Sequence, residues 1–260
     1  MTDRQRTIEG ILDLALRMAD IADEITMSGF FSYFDVSTKP DGSPVTSVDR
    51  RVEVVLRRMV DSEHPSAGFL GEEYPATVGF GRWIVDPIDG TEAFMEGDSR
   101  FASLIAFEVD DTPIAGVVTA PALGLRWWAA KGKGARVSRD GDVSAARVSV
   151  VADPAHAHAL LPKGRMGSAH ADDRLPIGRV ARSGARLETY DSSWQAVRVA
   201  GNDVDVAVAE GKWWDVAPLP IIVGEAGGMS SRYRTPQHDV GVVVTNRLLA
   251  PAFTGAPVGR

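Results

Sequence analysis

Apolar residues recur at three- and four-residue steps in two stretches near the start of the chain. In the first stretch they are Ile8, Ile11, Leu12, Ala15, Met18, Ala19, Ala22 and Ile25. In the second stretch they are Val48, Val52, Val55, Leu56 and Met59. This period places them along one face of a helix, so the pattern predicts two amphipathic helices. Thr46 and Asp49 form a capping pattern at the start of the second helix, and the turn-forming run 39–44 separates the two.

From Phe69 onward the pattern changes to short apolar runs bounded by turn residues. Such runs predict strands at 83–85, 103–107, 114–118, 125–129, 204–208 and 240–244. An apolar helix is predicted from Asp215 to Ala226, where two glycines follow. Residues 152–190 give no pattern that predicts an element. Helices and strands mixed in this order predict an α+β fold in which helices lie between sheets.

Composition and charge exclude several classes of protein. The chain has 260 residues, of which 44% are hydrophobic, so it can bury a full core. Its apolar runs are shorter than a membrane helix needs, and its charged start does not resemble a signal peptide, so we expect a cytoplasmic protein with no membrane partner. It has no cysteine, which excludes disulfides and thiolate chemistry. A formal net charge of −7 argues against nucleic acid as a partner.

The candidate chemistry is concentrated in residues 83–91. An apolar strand runs directly into Asp86, and Asp89 follows three residues later. Pro87 between them fixes its φ at about −65°, which stiffens the turn. Two carboxylates held close together repel each other, and a bound cation relieves the repulsion. Oxygen ligands favour magnesium over zinc. Gly90 and Thr91 have the pattern of a helix start, whose N–H groups could bind a phosphate.

Two further carboxylate motifs help to decide whether residues 86–89 form a metal site or only a turn. Taken alone, residues 86–89 could form a turn with capping aspartates. However, Glu72 also follows a predicted strand, within Gly71-Glu72-Glu73. Asp215 opens the apolar helix within Trp214-Asp215-Val216-Ala217, where by itself it could serve only as an N-cap. Three such motifs in one chain favour the metal site.

With these motifs in this order, the chain resembles the inositol monophosphatase superfamily. The resemblance implies a layered α-β-α-β-α sandwich of the inositol monophosphatase and fructose-bisphosphatase type, hydrolysis of phosphate monoesters, and two or three Mg²⁺ ions per site. The implied metal ligands are Glu72, Asp86, the Ile88 carbonyl, Asp89 and Asp215. The implied catalytic residues are Asp49, Thr91 and Glu72, and the Gly90 and Thr91 N–H groups would bind the phosphate. It also implies a homodimer and one domain, with a metal-binding half at 1–150 and a substrate half at 151–260.

Within the superfamily the chain is most similar to the actinobacterial histidinol-phosphate phosphatases, on residues 102–106, 116–123 and 126–130. These are also sheet and core positions, which follow ancestry without setting specificity. Departures occur where the substrate would lie: 190–193 read Tyr-Asp-Ser-Ser, and the stretch between Glu210 and Asp215 is about two residues short. The candidate substrate contacts are Tyr190, Asp191, Glu210, Lys212 and Trp213. Histidinol phosphate, inositol 1-phosphate or another sugar or nucleotide phosphate, and a catalytically retired regulatory role remain as alternatives.

Overall fold

The structure is a computed structural model, and it describes residues 3–163, 175–235 and 240–254. The described chain opens with two long helices, α1 (Asp3–Phe30) and α2 (Ser47–Glu63). Between them lies the predicted turn region as a small hairpin of β1 (Val36–Thr38) and β2 (Pro44–Thr46). Both predicted amphipathic helices are thus confirmed, and α2 begins with a capping box between Thr46 and Asp49.

A seven-stranded sheet contains most of the first half of the chain, in the order β3-β4-β5-β6-β7-β8-β9. Its strands are β3 (Gly68–Gly71), β4 (Arg82–Asp89), β5 (Ala102–Val109), β6 (Thr112–Ala120), β7 (Leu125–Ala130), β8 (Ala135–Arg139) and β9 (Asp142–Ala145). Only β3 and β4 pair in parallel in this sheet. The parallel pair matters for the site. Gly71 on β3 pairs with Val85 on β4, so the next residues along the chain, Glu72 and Asp86, lie near each other.

A five-stranded sheet contains the second half, in the order β11-β10-β12-β14-β13. Its strands are β10 (His158–Pro162), β11 (Arg186–Tyr190), β12 (Val206–Gly211), β13 (Met229–Tyr233) and β14 (Val240–Thr245). Five short helices follow α2 in the described ranges. They are α3 (Thr91–Met95), α4 (Pro176–Arg182), α5 (Trp213–Val216), α6 (Pro218–Glu225) and α7 (Ala250–Phe253). A 3-10 helix spans Ser193–Gly201.

The layers follow from which apolar faces are buried against each other. One core cluster joins α1 and α2 to the outer face of the seven-stranded sheet. A second cluster, with the 3-10 helix and α6, fills the space between the two sheets. A third joins the far face of the five-stranded sheet to α4 and α7. The order is helix, sheet, helix, sheet, helix, which confirms the predicted sandwich.

The predicted helix over 215–226 is wrong in its details. The structure has two short helices instead, with α5 beginning at Trp213 and α6 beginning at Pro218. Proline has no N–H to donate within a helix and fits its first position, so Pro218 ends one helix and starts the next. As a result Asp215 lies in the first turn of α5 rather than at its N-cap.

Candidate active site

The irregular last part of β4 holds Asp86 and Asp89 in a fixed arrangement. The pairing of β4 with β5 is regular up to Asp86 and irregular between Asp86 and Asp89, where Pro87 has no N–H for the ladder. The Ser103 hydroxyl donates to the Pro87 carbonyl at 2.6 Å, and the Ile88 N–H donates to Asp86 Oδ1 at 3.0 Å. These bonds hold the turn from both sides, so the two carboxylates have little freedom to separate.

Glu72 is positioned by a buried carboxylate that sequence analysis missed. Glu53 on α2 has a fully buried side chain, which accepts the Glu73 N–H at 2.7 Å and the Tyr74 N–H at 3.2 Å. The Arg57 side chain donates to the same carboxylate at 2.8 Å. A Cβ at Gly71 would lie 2.2 Å from the Glu53 carboxylate, so only glycine fits there. Glu53 therefore ties the loop that carries Glu72 to α2.

Asp215 reaches the same region from the second half of the chain. Its Oδ2 accepts the Lys212 N–H at 2.6 Å, which caps α5 from its first turn. The charges of Glu72 and Asp215 both raise the pKa of Asp86, so the three carboxyl groups lie close together. The structure thus brings Glu72, Asp86, Asp89 and Asp215 together, although they come from three separate stretches of sequence.

Crowding and burial make the three aspartates of this cluster hard to ionise. Burial raises the pKa of Asp86 well above its usual value, and the charges of Glu72, Asp89 and Asp215 raise it further. Burial raises the pKa of Asp89 to about 7, although the Trp194 N–H, 2.5 Å from Asp89 Oδ2, counteracts this. Burial and the charge of Asp89 likewise raise the pKa of Asp215. A divalent cation among these groups would favour their ionised forms.

Lys39, in the hairpin turn between β1 and β2, supplies a cation at one side of this cluster. Its Nζ lies 2.6 Å from Glu72 Oε1 and 2.7 Å from Glu73 Oε1. Burial raises the pKa of Glu73 to about 7 despite this contact. Within residues 3–163, 175–235 and 240–254, no three His, Asp or Glu side chains are already arranged to hold a metal ion. Glu72 Oε1 contacts Lys39 instead, and Asp86, Asp89 and Asp215 each accept a backbone N–H.

Asp49 and Thr91 lie next to the cluster and contact each other. Asp49 is fully buried, and its Oδ2 accepts both the N–H and the hydroxyl of Thr46. The Thr91 hydroxyl lies 3.0 Å from the Ile88 carbonyl oxygen and 3.3 Å from Asp49 Oδ1, so it can donate to either. Burial raises the pKa of Asp49, and the Thr46 hydrogen bonds oppose that rise. Asp49 is thus held with one oxygen directed to Thr91.

Gly90 shapes the turn into α3 because its backbone has φ +92°. L-amino acids with a side chain rarely adopt this conformation. A Cβ there would also lie 2.6 Å from Ser192 Oγ and 3.0 Å from the Arg100 carbonyl oxygen. The turn therefore brings the start of α3 against the 190s segment of the second half.

Two of the predicted substrate contacts, Tyr190 and Trp213, have their polar atoms bonded to other residues of the protein, and their contact with substrate stays a prediction. Tyr190 is buried, and its hydroxyl donates to the Val208 carbonyl, so its ring belongs to the core between the sheets. Trp213 donates its indole N–H to Glu108 at 2.8 Å, and Arg232 stacks on its ring at 3.9 Å. Glu108 pairs with the start of β4, at the opposite end of that strand from Asp89, so the Trp213 indole N–H is directed away from the carboxylates.

The other three candidates lie around the cluster. Asp191 is exposed and lies 3.3 Å from Lys163 Nζ. Glu210 lies near the end of β12 and is joined to the cluster through its backbone. The Ser193 hydroxyl donates to the Glu210 carbonyl at 3.4 Å, and the N–H of Trp194 donates to Asp89. Lys212 is exposed at the start of α5. These residues supply both signs of charge beside the site.

Three residues of this region were not predicted to belong to the site: Lys39, Glu53 and Tyr233, which donates to Glu210. The sequence does indicate a role for Glu53, because a charged residue four positions after Asp49 lies on the same face of α2. Lys39 lies in a turn-forming run whose direction the sequence does not indicate. Tyr233 is 23 residues from Glu210, and only the strand order brings them together.

Comparison with known proteins agrees with this architecture. The sequence profile of the inositol monophosphatase family matches residues 8–254. The chain is 41% identical over 245 residues to a histidinol-phosphatase of Mycobacterium tuberculosis, covering 92% of this chain and 94% of that protein. It is 36% identical to a histidinol-phosphatase of Streptomyces coelicolor, covering 84% of each.

Among solved structures, the extragenic suppressor protein suhB from Bartonella henselae superposes with a TM-score of 0.80 at 22% identity. The superposition covers 94% of this chain and 97% of that chain, which shows a shared fold. None of the helices in the described ranges combines the length and apolar character that crossing a bilayer needs. From the family profile, the two relatives and the fold, the chain belongs to the inositol monophosphatase family and is a hydrolase of phosphate monoesters.

Proposed function

We propose that the chain is a magnesium-dependent phosphatase whose metal site is formed by Glu72, Asp86, Asp89, Asp215 and the Ile88 carbonyl. The observation that carries the proposal is the convergence of four carboxylates, two of them flanking Pro87, in which burial and the neighbouring charges raise the pKa values of Asp86, Asp89 and Asp215. Carboxylate and carbonyl oxygens are the ligands that Mg²⁺ prefers. Two or three ions are proposed, as the family resemblance implies, because four carboxylates exceed the one or two through which a single Mg²⁺ is usually bound.

Bound magnesium would supply charge that neutralises phosphate oxygens and makes water a better nucleophile. The chain's own residues would place and deprotonate that water. The Thr91 hydroxyl would hold it, and Asp49 would accept its proton, with Glu72 assisting from the opposite side. The water oxygen forms a bond to phosphorus, the ester bond breaks, and the leaving alkoxide takes a proton from solvent. The Gly90 and Thr91 N–H groups would bind the phosphate oxygens.

Histidinol phosphate is the proposed substrate. Two relatives that are 41% and 36% identical are histidinol-phosphatases. Glu210 and Asp191 beside the cluster are acidic, and either suits the ammonium group of such a substrate.

A second candidate is inositol 1-phosphate or another sugar phosphate. Lys212 favours it, because this exposed cation beside the site opposes a positively charged substrate tail. A neutral polyol would not meet that repulsion.

We also propose one domain with two halves, in which residues 1–150 provide most metal ligands and residues 151–260 the substrate wall. Asp215 is the exception, a metal ligand from the second half. The homodimer and the cytoplasmic location stay predictions. Light scattering after size-exclusion chromatography tests the first, and fractionation of the native cell tests the second.

The experiment is phosphate release from histidinol phosphate and inositol 1-phosphate, each measured with MgCl₂ and then with EDTA. We expect EDTA to abolish turnover, and kcat/KM to favour histidinol phosphate at least about tenfold, as one charge-assisted hydrogen bond allows. Preference for inositol 1-phosphate would instead support the second candidate. No magnesium-dependent turnover of either substrate, or of a wider monoester panel, would refute the proposal.

A further inference from the structure

Three residues form one row across three neighbouring strands of the five-stranded sheet. Glu210 on β12 pairs with Gly241 on β14, and Gly241 pairs on its other side with Tyr233 on β13. The Tyr233 hydroxyl donates to Glu210 Oε1 at 2.9 Å. Because β14 lies between the two partners, the tyrosine ring must cross over the middle strand to make this bond.

Gly241 is what lets the ring cross. A Cβ at this position would lie 2.4 Å from Tyr233 Cζ and 2.5 Å from Cε2, inside the volume that the ring occupies. Gly241 does not have positive φ, so the strand does not need glycine for its backbone conformation. Its missing side chain serves the close approach of the Tyr233 ring.

The backbone of the residue that Tyr233 holds is tied to the segment next to the carboxylate cluster. Ser193 donates to the Glu210 carbonyl, and Trp194 donates to the proposed metal ligand Asp89. The chain then reaches Asp215, another proposed ligand, five residues after Glu210. Glu210 is thus connected to the carboxylate cluster from two directions.

We infer that Tyr233 is a positioning residue for substrate selection: through its hydroxyl it fixes the Glu210 carboxylate to receive an ammonium or hydroxyl group of the substrate's organic part. The inference rests on the proposed function, since it assigns a task to the wall of that site. A phenol is suited to the task because it donates one hydrogen bond while leaving the carboxylate charge intact. A rigid ring with two rotatable side-chain bonds also restricts the Glu210 rotamer at little entropic cost.

The test compares Tyr233→Phe with the wild-type enzyme on two substrates at saturating magnesium. Histidinol phosphate carries an ammonium group, whereas p-nitrophenyl phosphate offers neither an ammonium nor a hydroxyl group. Tyr233→Phe is expected to raise KM for histidinol phosphate about tenfold, the worth of one hydrogen bond to a charged group, and to leave kinetics with p-nitrophenyl phosphate unchanged. Gly241→Ala, which keeps the hydroxyl but displaces the ring, is expected to produce the same selective loss. Tyr33→Phe is the control, because Tyr33 is 92% exposed.

The outcomes separate this inference from the proposed function. Equal losses on both substrates would show that Tyr233 is only structural and would overturn the inference, as would unchanged kinetics on both. If the wild-type enzyme does not prefer histidinol phosphate over p-nitrophenyl phosphate, the substrate proposal fails, and if it does not prefer inositol 1-phosphate either, the inference fails with it. A wild-type preference that Tyr233→Phe leaves intact refutes the inference alone.

Discussion

Glu53→Gln is expected to weaken magnesium binding, although Glu53 is not a proposed ligand. Its buried carboxylate holds the backbone of Glu73 and Tyr74, and so sets the direction in which Glu72 leaves β3. Glutamine has nearly the same shape, but its NH₂ group would face one of the backbone N–H groups from which the carboxylate now accepts a hydrogen bond. The substitution therefore tests the charge and hydrogen bonding of Glu53 rather than its volume.

The size of the effect follows from these contacts. A buried N–H group that loses its acceptor costs about 1–3 kcal/mol. Loss of the partly exposed ion pair with Arg57 adds to this cost. We therefore expect the free energy of unfolding in EDTA to fall by about 2–4 kcal/mol, and Tm to fall by about 5–12 °C. Residues that orient metal ligands typically change affinity by about 10–100-fold, so we expect the Kd for Mg²⁺ to rise by that factor.

Isothermal titration calorimetry with MgCl₂ and thermal unfolding in EDTA measure the two effects separately. Glu63→Gln is the matched control, since Glu63 is at the end of the same helix and pairs with Arg17 at the surface. Such an exposed pair contributes little to stability because solvent screens it. Loss of stability without any change in Mg²⁺ affinity would show that Glu53 supports the fold but does not position Glu72.

The same geometry leads to four further predictions. Magnesium should bind at least about 30-fold more weakly at pH 5.5 than at pH 8.5 in calorimetry, because a proton competes at Asp89, whose pKa is about 7. Without magnesium, stability to urea should fall as pH rises from about 4 to about 7, since folded Asp89 keeps a proton that the unfolded chain has released; a rise across that window would contradict the burial argument. Gly90→Ala should cost about 1–3 kcal/mol in denaturant unfolding, because alanine is strained at φ +92°; unchanged stability would mean that the turn adjusts freely. Tyr190→Phe should lower stability by about 1 kcal/mol and leave KM for the substrate unchanged, whereas a raised KM would return Tyr190 to the substrate pocket.

The parts of the fold that the sequence predicted are those set by local pattern. The periodicity of 8–25 and 48–59 predicted α1 and α2, and Thr46 with Asp49 predicted the capping box, because these signals lie within a few residues. Asp86, Pro87 and Asp89 likewise form a local motif. The break at Pro218 was available from the same rules but was missed, because the apolar run continues through it.

The parts that the sequence did not predict depend on contacts between distant segments. Tyr190 was predicted to contact the substrate because 190–193 differ from the related phosphatases where the substrate would lie, and the sequence did not indicate that its ring is buried at the end of β11 with its hydroxyl donating to Val208. The row of Glu210, Gly241 and Tyr233 exists only because β14 lies between β12 and β13. Strand order and side-chain direction are tertiary properties, so no local spacing indicates them.

The measurement that tests the central claim most directly is phosphate release by the wild-type enzyme and by Asp86→Asn, each assayed with MgCl₂, with EDTA, and with MgCl₂ restored. Asparagine keeps the shape of Asp86 but removes the charge at the centre of the carboxylate cluster. We predict wild-type turnover that EDTA abolishes and magnesium restores, and a kcat at least about 100-fold lower in Asp86→Asn. The exposed Asp61→Asn is the control and should keep wild-type kinetics. Near-normal, EDTA-resistant turnover in Asp86→Asn would contradict the account, because it would place the chemistry outside this cluster.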